Sequence, residues 1–153
     1  MKVVVQRCSK ASILIDDSIK RSVGKGLVVL LGIHKDDDIN DVNYIIKKLI
    51  NLRIFEDESN KMNYSIQDIN GSILLVSQFT LYANTKEGNR PSFTDSMKYN
   101  DAKELYEVFI DNLKKTNINF KTGEFGSDMK VNLINDGPVT IIIDSKENLY
   151  ENK

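Results

Sequence analysis

The chain holds one histidine and one cysteine, so the chemistry open to it is narrow. His34 stands just past an apolar run, and any Ser-His-Asp or Thr-His-Asp relay would have to use it. A histidine at a strand end needs no chemical reason to be there, because activity belongs to a site and not to a lone residue. Cys8 has no second thiol, and the clustered nitrogen and sulfur ligands of an ordinary zinc site are missing, so no metal is expected. Asp36-Asp37-Asp38 could attract a cation, but a turn and a helix N-cap explain it more simply. No phosphate loop, nucleotide-binding glycine fingerprint or Gly-x-Ser-x-Gly elbow occurs. Two segments are left. Ser77-Gln78-Phe79-Thr80-Leu81-Tyr82 sets two hydroxyls, an amide and a phenol at the end of an apolar run, although a Ser/Thr-rich strand terminus has the same pattern. Asn135-Asp136-Gly137-Pro138-Val139-Thr140 lies between two apolar stretches, where Asp-Gly and Gly-Pro also signal a plain turn. Its Gly-Pro bond is a candidate for the cis form.

The elements that must carry these segments follow from hydrophobic period. Val3-Val4-Val5 reads as a buried strand, and residues 11–15 and 19–23 as two more, joined through Asp16-Asp17. Residues 26–33 are apolar on both faces, which predicts a central strand covered on both sides. Val42, Ile45, Ile46, Leu49 and Ile50 fall at helical spacing and predict a helix over residues 39–52. Residues 57–70 read as loop and 72–79 as another strand. Residues 83–98 are long for a loop in a compact domain, and such loops are usually functional or disordered. Ala102, Leu105, Tyr106, Phe109 and Leu113 line one face of a second helix, with Asn100 as its N-cap. Strands are expected over 119–122, 129–135 and 139–144, and a frayed tail over 146–153. The sum is an α+β fold: one domain over residues 1–145, with a mainly antiparallel, barrel-like sheet and two helices.

Length and charge narrow the function classes. A chain of 153 residues builds one core, and 21 basic against 22 acidic residues give a net charge of −1. That balance is wrong for a general nucleic-acid coat, yet it allows an enzyme that grips only the end of an RNA. No apolar run approaches the ~20 residues of a membrane span. The lone cysteine and the early Gln6-Arg7, which interrupts Met1–Val5 as an export signal, point to a cytoplasmic protein.

Taken together, Gln6-Arg7, Leu31-Gly32-Ile33, Ser77-Gln78-Phe79-Thr80-Leu81, Gly88-Asn89-Arg90-Pro91-Ser92-Phe93, Gly123-Glu124-Phe125-Gly126 with Met129, and Asn135-Asp136-Gly137-Pro138-Val139-Thr140 resemble the D-aminoacyl-tRNA deacylase family. The likeness runs over residues 1–144 in the family's order, and the pair of motifs at Ser77 and Asn135 is the specific part. His34 and Cys8 belong to none of these motifs. The resemblance implies a hydrolase that cuts the ester between a D-amino acid and tRNA, with no cofactor and neither DNA nor membrane as partner. It implies a homodimer with the active site at the subunit interface. Ser77, Gln78, Phe79 and Thr80 would form the floor of that site. A cis Gly137-Pro138 from the other subunit would reach into it, held by Arg7, and Phe125 and Met129 would seat the terminal adenosine of the tRNA. The loop from Gly88 to Phe93 would shape the entrance.

An aminoacyl ester is already activated, so such a site needs to hold the carbonyl, stabilise an oxyanion and admit water. The backbone N–H groups of Phe79 and Thr80 suit that task, whereas a threonine hydroxyl without a base is a poor nucleophile. Water attack helped by the ribose 2′-OH is therefore expected. L substrates would be refused by clash with the Gly137-Pro138 backbone, and glycine, lacking a side chain, would pass. The rivals are an RNA-binding module without catalysis, a His34 esterase and a structural dimer. Few phosphate contacts are expected, with Lys86, Arg90 and Lys98 as candidates, though ordinary surface placement explains each equally well.

Overall fold

The computed structural model describes residues 1–149. The chain runs β1 (Lys2–Ile15), β2 (Ile19–Val23), β3 (Gly26–Gly32), α1 (Ile39–Asn51), β4 (Phe55–Glu56), β5 (Met62–Tyr64), β6 (Ser72–Ser77), a 3-10 turn (Phe79–Tyr82), α2 (Tyr99–Lys114), β7 (Asn119–Thr122), β8 (Met129–Asp144) and α3 (Ser145–Leu149). Strand β1 spends both of its edges. One edge pairs with β3 along residues 2–8 and with β2 along residues 11–15, and the other pairs with β8 throughout. The sheet continues from β3 to β6 to β7, and both of those pairings are parallel. It is thus a mixed, nearly barrel-shaped sheet with three helices: the three pairings of β1 are antiparallel, as the mainly antiparallel expectation has it, but two parallel pairings and a third helix depart from that expectation. The difference arises because α1 and α2 are crossover connections, which return the chain to run parallel to the strand it left.

Alternation along the strands builds two cores. Leu27, Val29 and Leu31 of β3 join Ile73 and Leu75 of β6 beneath α1 and α2, which supply Val42, Ile45, Leu49, Phe109 and Leu113. Val28, Leu74 and Val76 point the other way, into a cluster with Ile13, Ile15 and the half-buried Val131 and Leu133. Strand β3 is therefore covered on both faces, as its unbroken apolar run predicts.

Local signals set most boundaries. Asp16 and Asp17 take positive φ in the β1–β2 hairpin, a conformation that short polar side chains tolerate. Asp38 caps α1 by accepting from Asn40 N–H, and Asp41 closes a reciprocal capping box. Helix α2 starts two residues earlier than expected, with Lys98 and not Asn100 at the N-cap and with no side-chain cap. Residues 57–70 carry the short strand β5, which pairs with β4 across an Asn60 turn of positive φ. The two strands expected over 129–135 and 139–144 are one strand, β8, broken by a bulge.

The expected frayed tail begins instead as α3, because its first residues are fastened. Residues 150–153 of that expectation lie outside the described residues. The Met1 ammonium donates to Asp37 Oδ1 and to Ser145 Oγ, Ser145 Oγ donates to Asp41, and Lys146 Nζ lies 3.2 Å from Asp41 and 3.3 Å from Asp37. Burial pushes the Asp41 carboxyl up. The hydrogen bonds from Ser145 and Asp38, with the Met1 ammonium and Lys146, outweigh it and hold the carboxyl below its ordinary range. No helix among the described residues is long and apolar enough to cross a membrane.

A carboxyl whose proton is held less tightly in the folded state stabilises fully above its unfolded value, about 3.9, and loses that contribution as pH falls through the lower folded value. Asp41→Asn should therefore destabilise by about 3–5 kcal/mol at pH 7, the cost of breaking a buried charge cluster. Urea titrations of both proteins should show the gap narrowing below about pH 4; an equal gap at pH 7 and pH 3 contradicts this account.

Candidate active site

Strand β6 ends at Ser77, opposite Leu31 of β3, and Gln78 N–H donates to the Leu31 carbonyl at 2.7 Å. The chain then leaves the sheet in the 3-10 turn Phe79–Tyr82, which folds over the end of β3 at Gly32. A Cβ on Gly32 would stand 3.0 Å from Leu81 Cβ and 3.1 Å from the Gln78 carbonyl oxygen, so the turn lies this close because Gly32 offers bare backbone. Phe79 and Thr80 open the turn, where leading N–H groups have no intrahelical acceptor. Gln78 Nε2 donates to Thr80 Oγ1. Among the described residues no imidazole or carboxylate hydrogen-bonds the Thr80 or Ser77 hydroxyl.

His34 is occupied elsewhere. Its Nδ1 accepts from Asp36 N–H at 3.2 Å and its ring stands edge-on to Tyr82. A hydroxyl-imidazole relay is therefore not assembled. The Cys8 thiol is buried, and burial pushes its pKa up, away from the reactive thiolate.

The end of β6 floors a cavity of about 540 Å³, with Ser77, Gln78 and Phe79 on one side and residues 125–129 on the other. The Phe125 ring packs against Tyr99 at 5.3 Å and Tyr106 at 5.4 Å between centroids, which fixes it as a wall. Gly126 passes over Tyr99 with φ +80°, and a Cβ there would meet Tyr99 Oη at 2.6 Å. Met129 closes the same wall, against Gly123. Phe79 is 58% exposed and meets Phe93 edge-on at 5.0 Å. Residues 83–98, which hold Phe93, are pinned: Asn84 and Ser92 exchange backbone hydrogen bonds, Lys35 pairs with Asp95 at 2.8 Å, and Ser96 Oγ donates to the Phe79 carbonyl.

Arg7, Gly137 and Pro138 form a second cluster, outside the lining of this cavity. Between the pairs Gln6–Thr140 and Cys8–Asn135, β1 advances two residues and β8 five, so residues 136–139 bulge out of the ladder. The turn-like Asp-Gly-Pro signal thus produces a bulge and no reversal. Buried Arg7 sits opposite it, donating from Nε to the Asp136 carbonyl at 2.8 Å and from Nη1 to the Ile54 carbonyl at 2.7 Å. Asn135 closes the bulge from inside, its Oδ1 accepting from Val139 N–H at 2.7 Å and its Nδ2 donating to Thr140 Oγ1 at 3.0 Å. Gly137 and Pro138 are exposed, the peptide bond between them is cis, and Gly137 has φ +143°.

The structure therefore unites Ser77, Gln78, Phe79, Phe125 and Met129, with Thr80 attached through Gln78, and sets Arg7, Gly137 and Pro138 apart. Lys86, Arg90 and Lys98 are exposed on or beside the pinned loop. Sequence reading missed Tyr99 and Met97 as lining residues; the spacing of Tyr99 to Ala102 and Tyr106, which extends the apolar face of α2 by one turn, was the available signal. It also gave Asn135 no role, although an Asn beside Asp-Gly commonly bonds its own backbone.

Comparison with known proteins shows the family and the fold. The family model described as D-Tyr-tRNA(Tyr) deacylase matches residues 4–144. A D-aminoacyl-tRNA deacylase of Finegoldia magna is 59% identical over 95% of this chain and 99% of its own, and one of Clostridium botulinum is 54% identical over 97% and 99%. A solved structure described as c-Myc DNA Unwinding Element Binding Protein superposes with TM-score 0.88 at 41% identity, covering 95% of this chain and 99% of that one. A probable eukaryotic D-amino acid tRNA deacylase shares the fold, with TM-score 0.81 at 17% identity over 93% and 97% of the two chains. Matched along nearly its whole length by the family model and by relatives more than half identical to it, this chain belongs to the D-Tyr-tRNA(Tyr) deacylase family.

Proposed function

We propose that the protein hydrolyses the ester of D-aminoacyl-tRNA, releasing a free amino acid and tRNA, and acts in the cytoplasm where charged tRNA is used. The observation that carries this reading is the single cavity joining the Ser77 strand end to the Phe125–Met129 wall, in a chain of this family. The wall offers an aromatic face and a thioether to a terminal adenine, and the floor offers backbone donors to the ester carbonyl. Water attacks that carbonyl, the 2′-OH of the terminal ribose relays the proton, and the N–H groups of Phe79 and Thr80 steady the oxyanion. The absence of a base hydrogen-bonded to Thr80 favours this route over an acyl-threonine.

Selection among mirror-image substrates is assigned to Gly137 and Pro138 of the partner subunit in a homodimer. Two observations support it. The bulge at residues 136–139 is braced by Arg7 and Asn135 while Gly137 and Pro138 stay exposed, which suits a rigid probe presented outward. Strand β8 pairs only with β1, leaving a long open edge with Ile134 51% and Ile142 66% exposed, a surface that a second copy would cover. Carbonyls of the probe would accept from the substrate ammonium, while its backbone would fill the space of an L side chain. Glycine would not be refused.

Three outcomes follow. Purified protein should hydrolyse D-tyrosyl-tRNA and, at higher enzyme concentration, glycyl-tRNA, and should spare L-tyrosyl-tRNA; release of L-tyrosine at the D rate refutes the selection. His34→Ala should keep near-normal rates and Thr80→Ala substantial activity, and mass spectrometry of quenched enzyme should find no acyl-Thr80; a trapped adduct would reverse that assignment. Gly137→Ala should lower D-tyrosyl-tRNA hydrolysis on the order of 10²-fold, because its Cβ would stand 2.8 Å from Val139 Cγ2 and 3.2 Å from Arg7 Nη2 and displace the probe. Unchanged kcat/KM in the folded variant would remove Gly137 from the site.

A further inference from the structure

We infer that the groove between α2 and the edges of β2 and β7 seats backbone phosphates of the substrate RNA upstream of its terminal nucleotide. This rests on the reading of the cavity as the seat of the 3′ adenosine. The groove has a volume of about 750 Å³, and Lys20, Arg21, Lys114 and Lys121 line it without any carboxylate in the lining. In a chain of net charge −1 such a gathering of cations runs against the overall balance. Two carboxylates stand beside it: Glu124 pairs with Arg21 at 2.6 Å and Asp111 with Lys114 at 3.7 Å. Lys20 and Lys121 have no ion pair among the described residues. The C-terminal end of α2 would by itself explain Lys114, since the helix dipole favours a cation there. It does not explain Lys20 and Lys121, which two separate strands bring to the same groove.

The groove is firmly built, and β7 and α2 link it to the cavity. Arg21 Nη1 donates to the Thr122 carbonyl at 2.6 Å, tying β2 to β7. Strand β7 runs from Lys121 into the segment that forms the Phe125–Met129 wall, and α2 flanks both places, with Ala102 at the cavity and Lys114 at the groove. Helical rise puts those two residues about 18 Å apart. A stacked strand advances about 3.4 Å per nucleotide, so the groove meets an RNA about five nucleotides from its 3′ end. That is where the unpaired end of a tRNA joins its acceptor stem.

The test pairs two substrates that differ in upstream phosphates, D-tyrosyl-tRNA and D-tyrosyl-adenosine. Lys20→Glu/Lys121→Glu, with Lys20→Gln/Lys121→Gln as the milder pair, should raise KM for the tRNA about 10-fold at low salt with kcat held, and leave KM for the adenosine ester near that of the unaltered enzyme. Binding of uncharged tRNA should lose about 1.4 from its slope of log affinity against log salt, near 0.7 for each lost single-strand contact. An unaltered KM and slope for tRNA in the folded glutamine variant overturns the inference, as does an equal loss on both substrates. If the unaltered protein cleaves neither ester, the deacylase reading fails, and the salt slope of tRNA binding still decides the groove.

Discussion

A guanidinium inside the sheet is the constraint around which the rest is arranged. Arg7 is 6% exposed, and a cation so placed is costly unless its donors are met. They are met by main-chain carbonyls of Asp136 and Ile54, with Glu56 3.9 Å away. To supply those carbonyls, β8 must leave the ladder and the segment before β4 must turn inward. The bulge at residues 136–139 is thus held in shape by the charge it covers. Removing that charge would leave two carbonyls unmet and the bulge free to rejoin the strand.

The same economy of backbone recurs at the cavity. Gly32 lets the Phe79–Tyr82 turn fold onto β3, and Gly126 lets the wall segment cross Tyr99. At both points a main chain approaches another group where a methyl would not fit, so the backbone around the cavity is fixed by close packing. Strand β3, filled on both faces, supplies the rigid bed for this. The one imidazole, His34, is bound up with Asp36 and Tyr82, away from this backbone.

Much of this was legible in the residues. Strand β3 and helix α1 followed from apolar period, and the Asp36-Asp37-Asp38 run supplied the expected N-cap, which the structure assigns to Asp38, because there local propensity and burial agree. The motifs at Ser77 and Asn135 stood out as chemistry-bearing, and the structure places both at breaks in the sheet. What stayed hidden depends on pairing between distant segments. Parallel β3–β6 and β6–β7 ladders cannot be read from alternation, which is the same for either direction. The Asp-Gly-Pro signal marks an interruption but does not say whether the chain reverses or bulges. The fastening of α3 depends on Met1, Asp37 and Asp41, far from it in sequence, so polar composition alone suggested fraying.

The cavity floor and the bulge at residues 136–139 occupy different parts of one chain, and the bulge does not line the cavity. In the proposed homodimer, that separation would have a genetic meaning. A lesion in the floor and a lesion in the bulge would become mutually correctable defects, since a mixed pair of such chains would still contain one undamaged combination. Two inactive alleles could then restore partial function when expressed together, whereas two lesions within the floor could not.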